Sequence, residues 1–306
     1  MTTVTNWIVY LCESEFSDYF LIHCFLIIIV NTPLILTILL RKNNRNRREF
    51  LIITGMVLGD TLYALGFFLS ITRRLENLSS GDSLVTRSEC MAQIPTIAVF
   101  LGTSLIGQMN TVVAIDRFLA TVFPIWYFKT TIRYPITILS IAYGFSIITL
   151  VLNWILVLSD EHEKLALISI QCNFADSTFP GFRNLLVYYR WLCIIIASLL
   201  YIMIALFIRK RFKAVSRTLA PQMNKIHSRK LMRSNITMGL TTLSAFFLLL
   251  IPDVFAEFNL PNSSSGTKLF LYSLMLNKTM VNLLIFVVRH RELRGVFIAG
   301  GSSEHS

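Results

Sequence analysis

The sequence predicts an all-α membrane protein, a seven-transmembrane helix bundle with its N-terminus outside and its C-terminus cytoplasmic. Three observations predict it: seven apolar runs of spanning length, a deficit of charge, and basic residues crowded into alternate connections. Of 306 residues, 54% are hydrophobic and 15% charged, with mean hydropathy +0.63. Soluble domains carry about 25% charged residues. Crossing a hydrocarbon core takes roughly 20 helical residues, and the runs lie near 20–40, 50–71, 91–115, 135–158, 185–208, 235–257 and 267–288. Lipid offers the backbone no hydrogen-bond partner, so uncharged runs of this length must be helical. A transmembrane barrel would instead show segments of about ten residues alternating apolar and polar. The chain thus divides into a short outer N-terminus (1–19), a membrane domain (20–288) and a short cytoplasmic tail (289–306).

The connections set the orientation. The first holds Arg41, Lys42, Arg45, Arg47 and Arg48. The third follows Arg117 with Lys129 and Arg133. The fifth holds nine basic residues from Arg209 to Arg233, and the tail adds Arg289, Arg291 and Arg294. Twenty of the 28 basic residues therefore share one side with four acids, while twelve acids lie on the other. The basic side is cytoplasmic by the positive-inside rule. This topology, with attraction to anionic lipid, accounts for a pI of 9.6 without any nucleic acid partner. Residues 1–19 hold Glu13, Glu15 and Asp18 but no Lys or Arg, so the first run is expected to be its own signal anchor rather than a cleaved leader.

Polar residues inside such runs are costly and tend to mark function. The first run carries Asn31 and the second Asp60. The third ends in Asp116-Arg117-Phe118, with Pro124 six residues beyond Phe118. The fifth carries Tyr201. The sixth has Phe246 ahead of Pro252, which removes a backbone donor and should kink the helix. The seventh has Lys278 four residues before Asn282-Leu283-Leu284-Ile285-Phe286. A lysine there should seek a carboxylate, and Asp60 is the obvious one. Cys90 opens the third run and Cys172 lies in the fourth connection, both on the oxidising side. The residues alone leave open a Cys90–Cys172 bridge, two free thiols, or a pairing with Cys12. Cys24 and Cys193 read as packing residues. Asn77 and Asn262 begin glycosylation sequons in outer connections. The sequons at Asn235 and Asn277 fall on the wrong side or inside a helix and should be silent.

Asp116-Arg117-Phe118 with Pro124 resembles the DRY motif and following proline of rhodopsin-like (class A) G-protein-coupled receptors. Asn282 to Phe286 resembles a degenerate NPxxY motif. The resemblance spans the chain and implies a bridge between Cys90 and Cys172 and a switch built from Asp116, Arg117, Phe118, Pro124, Tyr201, Phe246, Pro252, Asn282 and Phe286. It also implies a polar core at Asn31 and Asp60, to which this chain adds Lys278 as an outlier paired with Asp60, and a heterotrimeric G protein as partner at the plasma membrane. There are departures. Leu250 stands where the family has a tryptophan, and Cys193 where it has a proline. Trp154 lies too far along the fourth run to be the family tryptophan, and no acid near Met232 faces Arg117. The Arg117 lock should therefore be weak and basal signalling present. The short termini and Pro124-Ile125-Trp126-Tyr127 are similar to nematode serpentine chemoreceptors, class sx among them.

Upper-pocket candidates are Gln93, Thr96, Phe100, Tyr188, Arg190, Asp253, Glu257 and Tyr272. An amine ligand is disfavoured, because Val99 occupies the place of the amine-binding aspartate eighteen residues before Arg117. Retinal is disfavoured too: the family's retinal lysine falls on Leu276, and Lys278 lies about 200° away around the helix. No cofactor site is read. A small-molecule ligand fits best, with a basic neuropeptide next, since the outer face is acidic. A transporter would show inverted repeats and paired broken helices, and the chain shows no internal symmetry. An enzyme would need a nucleophile–base pair or metal-ligand spacing, and the five histidines are scattered.

Overall fold

The computed structural model describes residues 2–45, 47–77, 83–217, 239–258 and 265–289. Seven long helices dominate: α1 (Thr2–Leu40), α2 (Arg48–Glu76), α3 (Ile94–Val122), α4 (Arg133–Ser159), α5 (Phe182–Arg217), α6 (Gly239–Glu257) and α7 (Ser265–Arg289). Six are long and apolar enough to cross a membrane, α1 through its Asp18–Leu40 portion; the apolar part of α7, Ser273–Phe286, is shorter. The chain is thus a multi-pass membrane protein. The backbone of residues 2–19 is helical and continuous with the first apolar run.

Packing follows the burial pattern. Along α3, 83% of the apolar window is buried, against 28% in α4 and 22% in α5. This makes α3 the central helix and leaves the outer faces of α4 and α5 to lipid. It touches α2, α4 and α5, while α6 and α7 pack on each other and α7 closes onto α1 and α2. Glycine permits the tightest of these approaches. A Cβ on Gly102 would lie 2.5 Å from the Tyr63 Cα, and one on Gly66 would lie 2.5 Å from the Val99 nitrogen. The α2–α3 contact therefore brings backbone against backbone.

Two expectations are corrected. The chain is not purely helical: strands β1 (Leu84–Thr86) and β2 (Leu167–Ser169) pair antiparallel, with Val85 opposite Ile168. Sheet pairing satisfies the backbone of two connections where they leave the helices. The third run also does not start at 91 and end at 115. Thr86 and Glu89 form a capping box for a one-turn helix, Arg87–Met91, and the chain breaks at Ala92. The long helix starts at Ile94, with Pro95 in the first turn where its missing N–H is harmless. It then continues through Asp116 and Arg117 to Val122.

Gly102→Ala is expected to force α2 and α3 apart and lower stability by about 1–3 kcal/mol. Gly144, with nothing within 4 Å of a would-be Cβ, should accept alanine without loss. Thermal melts of the two variants in nanodiscs check this.

Candidate functional site

The first cluster lies at the end of the bundle that carries the basic connections. Asp116 and Arg117 are both buried, at 0% and 2% exposure. Arg117 donates through Nε to Asp116 Oδ2 at 2.9 Å, and its Nη1 lies 3.7 Å from Glu49 Oε1 of α2. Thus the carboxylate absent from α6 is supplied from α2. Sequence reasoning missed Glu49, which lies just before the second run and carries no signal of its approach to Arg117. The Tyr127 hydroxyl donates to Asp116 Oδ2 at 3.4 Å; burial pushes that phenol's pKa up, so it stays a neutral donor. Tyr127 belongs to a short helix, Pro124–Lys129, that starts at the predicted proline. Arg48 ties this helix to α2. Its Nη1 donates to the Thr130 carbonyl at 3.0 Å and to the Tyr127 carbonyl, with the guanidinium over the Tyr127 ring at 4.5 Å. Phe118 is half-buried. Tyr201 packs with Met109, Val113, Leu283 and Phe286, and Gly239 of α6 sits against its ring.

The second cluster is in the core. Lys278 Nζ donates to Asp60 Oδ1 at 2.8 Å, both side chains almost wholly buried. Asn282 Nδ2 donates to Asp60 Oδ2 at 3.3 Å, and Ser244 Oγ donates to Asn282 Oδ1 at 3.0 Å. One carboxylate thereby gathers α2, α6 and α7. Asn31 bonds Thr61 at 3.1 Å. A separate chain crosses α3, α4 and α5: Gln108 donates to the Tyr189 hydroxyl at 3.1 Å, and Ser146 donates to Gln108 Oε1 at 3.0 Å. That chain was missed, though a glutamine inside an apolar run is the kind of signal that marks one.

The third cluster lies toward the disulfide. Cys90 and Cys172 are bonded, with Cα atoms 5.3 Å apart, and β2 is fastened to the end of α3 just beside them. Arg190 of α5 pairs with Asp253 of α6, donating through Nε to Oδ2 at 3.0 Å, and Trp191 Nε1 donates to the same oxygen at 2.6 Å. Arg183 pairs with Glu257 at 2.8 Å. Four of the candidate pocket residues have defined surroundings. Arg190, Asp253 and Glu257 are engaged in α5–α6 ion pairs. Tyr188 is 51% exposed and faces outward from the bundle. Phe100 is buried, stacked on Phe182 with centroids 6.3 Å apart and edge-on to Phe174. Gln93 Oε1 and Thr96 Oγ1 are buried, without a hydrogen-bond partner among the described residues. Asn77 caps the end of α2. Asn262 and the Tyr272 side chain lie outside the described residues, as do residues 218–238 of the basic connection and 290–306 of the tail.

Between the second and third clusters α6 is irregular. Phe246–Leu250 is a π-helical stretch, and Pro252 follows it. Its basic side is anchored by Ser244 to α7 and its other side by Asp253 to α5. Phe246 opens the stretch half-buried, while Asn282 and Phe286 are buried in α7. Among the described residues no His, Cys, Asp or Glu group has metal-site geometry.

A family model described as the serpentine type 7TM GPCR chemoreceptor Srbc matches residues 17–158, a little under half of the chain, from α1 to the end of α4. The class it names is Srbc rather than the class sx suggested by the sequence. No curated protein matches the chain.

Lys278→Met or Asp60→Asn alone leaves the partner buried without its counter-charge, a loss of about 3–5 kcal/mol for a buried pair. The double variant should recover most of it. Melting temperatures of the three proteins test the pairing: a double variant no better than either single one would disprove it.

Proposed function

We propose that the chain is a chemosensory G-protein-coupled receptor of the plasma membrane, with seven transmembrane helices, the disulfide end outside and the basic end in the cytoplasm. It converts binding of a small molecule outside into activation of a heterotrimeric G protein inside. The similarity to the Srbc chemoreceptors over residues 17–158 supports the class. The observation that carries the mechanism is Arg117, buried at the basic end and held by Asp116 and Glu49.

A guanidinium in that position is a masked contact. Its carboxylates come from α3 and α2, so α6 can move away without breaking them. Movement of α6 uncovers Arg117 and the basic connection to a G protein. The irregular turn at Phe246–Leu250, anchored on both sides, is where α6 can bend. A ligand drives the change only through its differential affinity for the two packings. Because the sequence carries no acid near Met232 to lock Arg117 to α6, ligand-free activity is expected to be measurable.

The test is nucleotide exchange on a panel of purified G proteins with the chain in nanodiscs. Wild type is expected to stimulate at least one G protein without ligand. Arg117→Ala is expected to lower that stimulation roughly tenfold or more, about 1.4 kcal/mol per factor of ten, and to melt lower because it leaves Asp116 buried without its counter-charge, so exchange is compared at a temperature where both proteins are folded. Asp116→Asn should raise ligand-free exchange by loosening the mask. A folded protein that stimulates no G protein, with or without candidate odorants and peptides, overturns the reading.

A further inference from the structure

We infer that the ligand is an uncharged molecule with a hydroxyl group, which donates a hydrogen bond to Gln93 and accepts one from Thr96 at the start of α3 beneath the Cys90–Cys172 bridge. The inference rests on the receptor reading and names the chemistry of its ligand. Two independent observations lead to it.

The first is charge. Six charged side chains are buried among the described residues: Asp60, Asp116, Arg117, Arg190, Asp253 and Lys278. They form three pairs, Asp60 with Lys278, Asp116 with Arg117 and Arg190 with Asp253. Nearer the disulfide the partly buried charges are paired as well, Arg183 with Glu257 and Arg87 with Glu163. Among the described residues, an ammonium or a carboxylate entering from that end meets no buried charge that lacks a partner. To gain one it must break a pair and leave an ion buried alone, which is strongly unfavourable.

The second is the pair of unmatched neutral atoms. Thr96 is 4% exposed. Its Oγ1 and the Gln93 Oε1 have no hydrogen-bond partner among the described residues. Residues three apart share a helix face, and Phe100, one turn further on, belongs to the same stripe. Phe100 with Phe174 and Phe182 supplies an aromatic wall. Buried polar groups are ordinarily matched, and leaving one unmatched is unfavourable. A carboxamide oxygen only accepts, whereas a threonine hydroxyl both donates and accepts. One hydroxyl group meets both needs by donating to Gln93 Oε1 and accepting from Thr96 Oγ1. Its apolar body then lies against the phenylalanines.

The test uses the purified full chain in nanodiscs, without G protein. Benzyl, cyclohexylmethyl and hexyl scaffolds are each presented as alcohol, methyl-capped hydrocarbon, ammonium and carboxylate, and saturable shifts in melting temperature are read. Shifts are expected from alcohols alone, with affinity falling roughly tenfold on removal of one hydrogen bond in Thr96→Val or Gln93→Leu. Without ligand, Thr96→Val is expected to melt higher, because it removes an unmatched hydroxyl. A lower melting temperature means that a bound water or a protein group already satisfies Thr96, and overturns the inference. So do a saturable shift from an ammonium or carboxylate, alcohol binding indifferent to both variants, or no saturable shift from any alcohol. Binding without nucleotide exchange would contradict the coupling reading and leave this inference standing; exchange driven by a charged ligand would do the reverse.

Discussion

The contact on which the rest of the structure depends is the ion pair between Asp60 and Lys278. In a membrane helix neither charge is tolerable alone, and each is made tolerable by the other. Their meeting fixes the rotation of α2 relative to α7, since 2.8 Å between Nζ and Oδ1 allows little slack. Asn282 takes the second carboxylate oxygen and Ser244 brings in α6. Three helices far apart in sequence are thus located by one carboxylate. The apolar layers on either side have little directional preference of their own, so this polar contact selects one packing among several of similar burial.

Around that fixed point the bundle is organised by α3. Its glycines admit the backbone of α2, and Gly107 admits Arg190 of α5, whose Cα would lie 3.1 Å from a Cβ placed there. Arg190 is in turn what Asp253 of α6 binds. A glycine on the central helix therefore sets where an ion pair between two other helices forms. The three clusters are stacked along the bundle rather than gathered in one site, and α6 is the helix that joins the upper two. The anchors at Ser244 and Asp253 tie α6 to both of these clusters.

The legible parts of the fold were those governed by lipid. Six apolar helices of spanning length and the pairing of Lys278 with Asp60 follow from the expense of charge in hydrocarbon, which is local and strong. The break at Ala92 and the extension of α3 to Val122 were harder to read. They depend on a capping box and a strand pair between connections 80 residues apart, where hydropathy carries no signal. Glu49 was missed because its role is defined by the approach of α2 to Arg117, a distance no spacing encodes. Arg190, Asp253 and Glu257 were read as pocket candidates, and the ion pairs that join them across α5 and α6 were not read, because a sequence does not show which helix brings the partner. Tyr188 adjoins Tyr189, which faces Gln108, and so points about 100° away, toward lipid.

The π turn at Phe246–Leu250 holds one residue more than an α turn would over the same rise. Removing a single residue there restores a regular α turn and leaves Ser244 and Asp253 in the same phase, whereas removing one from the regular turns on either side rotates everything beyond it by about 100°. Only in the second case would Ser244 no longer face Asn282. The stretch is thus the one part of α6 that can lose a residue without resetting the phase between its outer and inner halves. A one-codon deletion there would remove the irregularity and keep the anchors, whereas the same deletion one turn away would separate them.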